Sequence, residues 1–276
     1  MMKKIKLIAI DMDGTLLNSK KQCSKKTMEI LKQAQERGAI ILPATGRAIN
    51  GLPKELKDLG VRYGIFCNGA TCYDCQEGKV LVANHFSVKE VIQLLKICEK
   101  YDAAYDIYAG GMGYCEKKFL DKIEEYIIEE PIQMLVRNTR KSIAGRLTDF
   151  IIEHKMSVEK INMFFQDLDL REQARKEFKA TKIAEPVSSL VNNLEMGKAG
   201  CTKGLALEQL IQVLGLTKEE VMACGDANND LAMLEVAGFS IAMGNAVDEV
   251  KAIADYITDT NDEDGVAKAI EKFVLN

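Results

Sequence analysis

An apolar run that ends on two carboxylates constrains this chain more than any other feature. Leu7-Ile8-Ala9-Ile10 reads as a buried strand, and Asp11-Met12-Asp13-Gly14-Thr15 follows it directly. Open α/β sheets hold ligands just beyond the carboxyl ends of their strands. In extended backbone, residues i and i+2 share a face. Asp11 and Asp13 therefore repel unless a cation joins them or one holds a proton. Taken alone, the segment is equally a solvated turn in which Gly14 supplies a permissive backbone. Three further stretches decide between the two.

The chain on either side alternates strand and helix. Ser24 caps a helix with Met28, Leu31 and Ala34 on one side, closed by Gly38. Ala39–Leu42 is a second strand, ending in Pro43-Ala44-Thr45-Gly46-Arg47. A helix around Leu52–Leu59 precedes a third strand, Tyr63–Cys67, which ends in Asn68-Gly69. Three strand–loop–helix units in the first seventy residues predict an α/β fold with a doubly wound parallel sheet. The same rhythm returns late in the chain. Cys201-Thr202-Lys203-Gly204 opens a helix ended by Gly215, and Val221–Cys224 is a buried strand stopping at Gly225-Asp226-Ala227-Asn228-Asn229-Asp230. Ser240–Met243, Tyr256-Ile257 and a helix over Asp264–Val274 complete it.

Between these halves the rhythm changes. Thr71–Tyr73 and Val80–Val82 pattern as a hairpin, and Ser87-x-x-Glu90 is a capping box opening an amphipathic helix. Strands are predicted at Ala103–Ala109, Ile132–Val136 and Ile161–Phe165, and helices at Lys117–Ile128, Ile143–His154 and Asp169–Phe178. Gly110-Gly111-Met112-Gly113 lacks the strand-to-helix context of a phosphate cradle and reads as a turn. Residues 84–191 are accordingly expected to form an inserted α+β module, with 1–83 and 192–276 making the core.

Charge and composition narrow the partners. The 276 residues carry a formal net charge of −4, which gives no electrostatic case for nucleic acid or a membrane surface. No apolar run is long enough to span a bilayer, and the start does not resemble a secretory signal, so a cytoplasmic location is expected. The eight cysteines then read as reduced thiols. Cys72-x-x-Cys75 has no second such pair and no nearby histidine pair to complete a metal cage.

Polar groups of complementary type stand at four element ends: Asp11 with Asp13, Thr45, Lys203, and Asp226 with Asn229 and Asp230. In a parallel sheet these ends lie side by side. Oxygen-only clusters suit a hard cation such as Mg²⁺, which favours substrate phosphate as a further ligand. Without a cation so many anions at one edge would be costly. Lys203, Thr45 and the amides of Gly46 and Arg47 supply donors for a phosphoryl group, and helix N-termini add partial positive charge.

The ordered set DMDGT at 11–15, ATGR at 44–47, Lys203 in CTKG and GDANNDLAM at 225–233 resembles the haloacid dehalogenase (HAD) superfamily of phosphohydrolases. The insertion between the second and third motifs is similar to that of the Cof-type branch with a C2B cap. The resemblance implies a Rossmann-like core with Asp11 as nucleophile, giving an aspartyl-phosphate, and Asp13 as acid and then base. It implies Mg²⁺ held by Asp11, the Asp13 carbonyl and Asp226. Thr45, Gly46 and Asn229 would hold the phosphoryl group, Lys203 would stabilise its charge, and Asp230 would orient Lys203 or the metal shell. Arg47 either touches substrate or braces its loop. The substrate implied is a small soluble phosphate monoester, a sugar phosphate or phosphorylated cofactor, selected by the cap. Tyr105, Tyr108 and Tyr114 either line a sugar or a ring there or pack the cap's core. The oligomeric state is left open.

Two other functions fit parts of the pattern. A phosphomutase would need a second phosphate site in the cap, and Arg137, Arg140, Lys141 and Arg146 are a candidate group. A non-catalytic phosphate-binding regulator would be marked by loss of Asp11, Asp13 or Lys203, all of which are present.

Overall fold

A computed structural model describes residues 4–128, 130–188 and 190–276. The chain divides into two compact units. The first comprises the chain up to Arg47, Gly51–Ala83 and Cys201–Asn276; the second comprises Ala48–Asn50 and Asn84–Gly200.

The first unit is built on a five-stranded sheet. Its order is Tyr256–Ile257, Phe239–Ala242, Val221–Gly225, Leu7–Ile10, Ile40–Pro43, and every pairing is parallel. Leu7–Ile10 lies at its interior with all four residues fully buried, as a strand covered on both faces requires. Helices follow the strands: Lys25–Glu36, capped by the Ser24 hydroxyl, and Lys203–Leu214, capped by the Thr202 hydroxyl. Lys54–Asp58, Leu231–Val236, Asp248–Ile253 and Gly265–Ile270 are further α-helices of this unit.

The third predicted strand takes a different course. Tyr63–Phe66 meets the parallel sheet only at a bridge between Ala44 and Ile65, where the Thr45 N–H donates to the Ile65 carbonyl at 2.9 Å. It is otherwise the edge of a separate antiparallel sheet with Thr71–Asp74 and Lys79–Ala83. The tight turn at Cys67–Gly69 sends the chain straight back as a hairpin, so no helix intervenes.

The second unit holds a six-stranded sheet in the order Ala184–Val187, Asn193–Lys198, Lys160–Phe165, Ala103–Ala109, Met112–Glu116, Arg140–Ile143. Only the last pairing is parallel. One face packs Ile107, Ile161, Met163 and Phe165 against Leu94, Leu147 and Phe178 from the helices Val88–Cys98, Leu147–His154 and Leu168–Ala180. The other face buries Ala104 and Phe164 with Phe119, Ile123 and Val136.

Four details of this unit correct the sequence reading. Ile132–Val136 is not a strand; it lies in the helix Glu130–Thr139, where Ile132 and Val136, four apart, turn to one apolar cluster. The strand is instead Arg140–Ile143, and Gly145, at φ +90°, separates it from the helix that begins at Leu147. Lys117–Ile128 is broken at Lys122 into Lys117–Asp121 and Ile123–Tyr126. The unit also runs on to Gly200 rather than stopping at 191, because Asn193–Lys198 pairs on both sides within its sheet. Gly110 and Gly111, both at positive φ, form the expected turn, here between two antiparallel strands.

The residues weighed for recognition in this unit have local partners. Arg137 pairs with Glu124, Arg140 with the buried Asp106, and Arg146 with Glu99. Tyr105 is buried with its hydroxyl towards Glu116, and Tyr114 packs on Phe150. Tyr108 lies beneath the Arg140 guanidinium. Cys72 is buried, its thiol directed at the Ala206 carbonyl, and Cys75 is a half-buried free thiol. Among the described residues no helix is long and apolar enough to cross a membrane.

Candidate active site

The predicted loops converge at the carboxyl end of the parallel sheet in the first unit. The Asp11 N–H still pairs with the Cys224 carbonyl at 3.0 Å, which places Asp11 beside the segment leading to Asp226. The chain then turns sharply, with Leu16 N–H donating to the Asp11 carbonyl and Leu17 N–H to that of Met12. Gly14 makes the turn at φ +98°, and a Cβ there would lie 2.4 Å from Asp226 Oδ2. Both the conformation and the lack of space therefore require glycine at this position.

Lys203 is fully buried at the first turn of its helix. Its Nζ donates to Asp11 Oδ1 at 2.5 Å and to Asp230 Oδ1 at 2.7 Å. Asp230 is fully buried too, and its Oδ2 accepts the N–H groups of Asp226 and Ala227. Asp230 thus fixes Lys203 with one oxygen and the Asp226 loop with the other. Asp226 Oδ1 accepts the Thr15 hydroxyl at 2.7 Å.

Asp11, Asp226 and Asp230 bring carboxylate oxygens within 4.8 Å of one another. Three carboxylates against the single Lys203 ammonium leave two negative charges in a largely buried site. The electrostatics reflect that excess. Burial pushes Asp11 up to about 7 against the pull of Lys203, with Asp230 and Asp226 adding to the rise. Burial likewise raises Asp226, opposed by the Thr15 hydroxyl. Lys203 is raised: burial works against its charge, but Asp11 and Asp230 outweigh it. An oxygen-only donor set with two charges uncompensated fits a hard divalent cation.

Asp13 faces a different environment. Arg47 grips it through Nε to Oδ2 at 2.8 Å and Nη2 to Oδ1 at 2.7 Å, and Lys21 Nζ adds a bond to Oδ1 at 2.9 Å. Burial alone would raise this carboxyl; the Arg47 and Lys21 bonds outweigh it and hold the group below its ordinary value. The second loop is equally ordered. Thr45 is buried, and its Oγ1 accepts the Arg47 N–H at 3.1 Å. Gly46 follows, with the Asn68 carboxamide across its open side. Asn229 is exposed and donates to Asn68 Oδ1 at 3.2 Å.

All eight predicted site residues, Asp11, Asp13, Thr45, Gly46, Lys203, Asp226, Asn229 and Asp230, thus lie in one unit, on loops that interlock. The motifs fall along nearly its whole length, as does the match to a family model. That model, haloacid dehalogenase-like hydrolase, matches residues 8–270. The chain belongs to this family. It is of the Cof type within the HAD superfamily, a family of enzymes whose members related to this chain are named phosphatases. This HAD hydrolase is 33% identical over 283 residues to the 5-amino-6-(5-phospho-D-ribitylamino)uracil phosphatase YcsE of Bacillus subtilis, covering 98% of this chain and 96% of that one. It is 33% identical to phosphatase YwpJ of the same organism, covering 95% and 98%. A haloacid dehalogenase-like hydrolase from Bacteroides thetaiotaomicron superposes with a TM-score of 0.83 at 30% identity, over 98% of this chain and 99% of the other.

Several residues that order this HAD site were given no role from the sequence. Thr15 reads as the end of a motif but bonds Asp226. Asn245 Nδ2 donates to the Gly14 carbonyl at 2.8 Å from a loop more than two hundred residues away. Lys21 is one of two adjacent lysines, with nothing to single it out. The role of Arg47, open in the sequence, resolves in part: it binds Asp13.

Proposed function

We propose that this HAD hydrolase is a Mg²⁺-dependent phosphatase that cleaves small phosphate monoesters through an aspartyl-phosphate on Asp11. The observation that carries this reading is Lys203, fully buried yet bonded to Asp11 and Asp230 at one point where three carboxylates meet. A buried, over-charged cluster of this kind is expensive as mere structure. It suits a site that receives a cation and a phosphoryl group.

Asp11, the Asp13 carbonyl and Asp226 would hold the metal. When bound, Mg²⁺ supplies neutralisation of the repulsion between nucleophile and phosphate dianion. The remaining work falls to the side chains. Asp11, oriented by Lys203, attacks phosphorus as the ester oxygen leaves. Lys203, the Thr45 hydroxyl, the Gly46 N–H and Asn229 bind the phosphoryl oxygens. Asp13 protonates the leaving oxygen and then takes a proton from the water that hydrolyses the aspartyl-phosphate. With both oxygens held by Arg47 and Lys21 it carries no proton, so before acting as acid it gives up one of these partners, takes up a proton from solvent and turns it to the substrate oxygen. Asp230 holds Lys203 in place.

The substrate class is a small phosphorylated metabolite, a sugar phosphate or a phosphorylated cofactor. The name of the Bacillus relative, a phosphatase of a ribityl-phosphate compound, supports that range. Specificity is assigned to the second unit, acting as a cap domain. A mutase is less well supported, because three of its four candidate cations each hold a different carboxylate. A panel of phosphate esters assayed with Mg²⁺ tests the proposal. Inorganic phosphate release by the parent and none by Asp11→Asn is expected. Isomer formation without phosphate release, or Asp11→Asn activity within about tenfold of parent, would overturn it.

A further inference from the structure

The third strand ends in a turn that the motifs above do not use. Cys67 and Asn68 both lie in the left-handed region, at φ +51° and +55°, and Gly69 follows at φ +104°. Two consecutive non-glycine residues there are unusual, the more so for cysteine. The turn is wedged between two site loops. Asn68 N–H donates to the Thr45 carbonyl at 3.0 Å and Cys67 N–H to that of Arg47 at 2.9 Å. On the other side, a Cβ at Gly69 would lie 2.2 Å from the Thr202 carbonyl oxygen, just before Lys203.

This clamped backbone delivers the Asn68 side chain onto Gly46. A Cβ at position 46 would sit 3.1 Å from Asn68 Oδ1 and 3.2 Å from Nδ2, so the glycine leaves the space the carboxamide fills. Oδ1 is taken by Asn229 Nδ2. Among the described residues no acceptor meets Nδ2, which is left as a donor over Gly46.

We propose that Asn68 is a further phosphate-binding residue, its Nδ2 donating to the phosphoryl group held by Thr45 and Gly46 while its Oδ1 orients Asn229. The assignment rests on the phosphatase reading given above. It explains why a carboxamide is held in a left-handed turn where glycine alone would satisfy the backbone.

The test is calorimetric titration of the full-length protein with inorganic phosphate in the presence of Mg²⁺. Asn68→Gly keeps the positive φ and removes the donor; Asn68→Asp keeps an acceptor for Asn229 and presents an anion to the ligand. Loss of one hydrogen bond to a charged group should weaken phosphate binding about tenfold in Asn68→Gly, and the carboxylate should weaken it further, by more than about thirtyfold. Thermal midpoints close to the parent's would show both variants folded. Binding within about twofold of the parent in both folded variants would overturn the assignment while leaving the phosphatase reading intact. A parent that neither binds phosphate nor hydrolyses esters would sink both.

Discussion

Replacing Lys203 by methionine preserves most of the side chain's volume and removes its charge. The cluster of Asp11, Asp226 and Asp230 then goes from two uncompensated negative charges to three. Lys203 and Asp230 are fully buried and Asp11 is 6% exposed, so water offers little screening. Breaking a buried pair of this kind costs about 3–5 kcal/mol. For a chain of this size that lowers the thermal midpoint by roughly 6–20 °C. The pH dependence has a definite sign. Without Lys203 the Asp11 and Asp226 carboxyls, already raised in the folded state, rise further above their unfolded values, so the variant gains stability relative to the parent as pH falls and these two take up protons. Mg²⁺ should recover more stability in the variant than in the parent, because it then supplies the only cation in the cluster. Thermal unfolding between neutral and acidic pH, with and without Mg²⁺, reads all three effects. A neutral-pH loss below about 1 kcal/mol would show that Lys203 does not hold the cluster together, and the charge reasoning would be wrong.

Three further outcomes are expected. Chelation by EDTA should silence the enzyme and added Mg²⁺ restore it; full activity in chelator would remove the metal from the account. Gly14→Ala forces a Cβ against Asp226 and strains a positive φ, so the Mg²⁺ concentration for half-maximal activity should rise by about tenfold or more, a cost near 1–2 kcal/mol; an unchanged metal dependence would contradict the placement of Asp226. Arg47→Ala removes the main partner of Asp13. Because the folded Asp13 carboxyl is depressed, its pairs add stability above the unfolded value and lose it as pH falls through the folded one. The variant should therefore be less stable at neutral pH, by about 1 kcal/mol or less for half-exposed groups, with the difference vanishing in acid; chemical denaturation at the two pH values measures it.

The convergence of Asp11, Lys203, Asp226 and Asp230 was legible in the sequence because they stand in short motifs at element ends. A buried strand such as Leu7–Ile10 announces itself by composition, and Asp11 and Asp13 have little reason to end it otherwise. Partner choice was not legible. Nothing in the order of residues says that Arg47 grips Asp13, or that Asn245 reaches the Gly14 carbonyl across the fold. The second unit was read less well because short apolar runs fit either periodicity. Ile132 and Val136 suit a strand of five residues as easily as a helix face, and only the cluster around Phe119 and Ile123 selects the helix. Arg140–Ile143 has a polar start and pairs at a sheet edge, and thus lacks the apolar run that marks a strand.

The central claim is that Asp11 takes the phosphoryl group before water does, and the stereochemical course at phosphorus tests it most directly. Two successive in-line displacements, one by Asp11 and one by water, predict net retention when a phosphate monoester made chiral by oxygen isotopes is transferred to labelled water. Net inversion would mean that water attacks the ester in a single step, and Asp11 would no longer be the nucleophile.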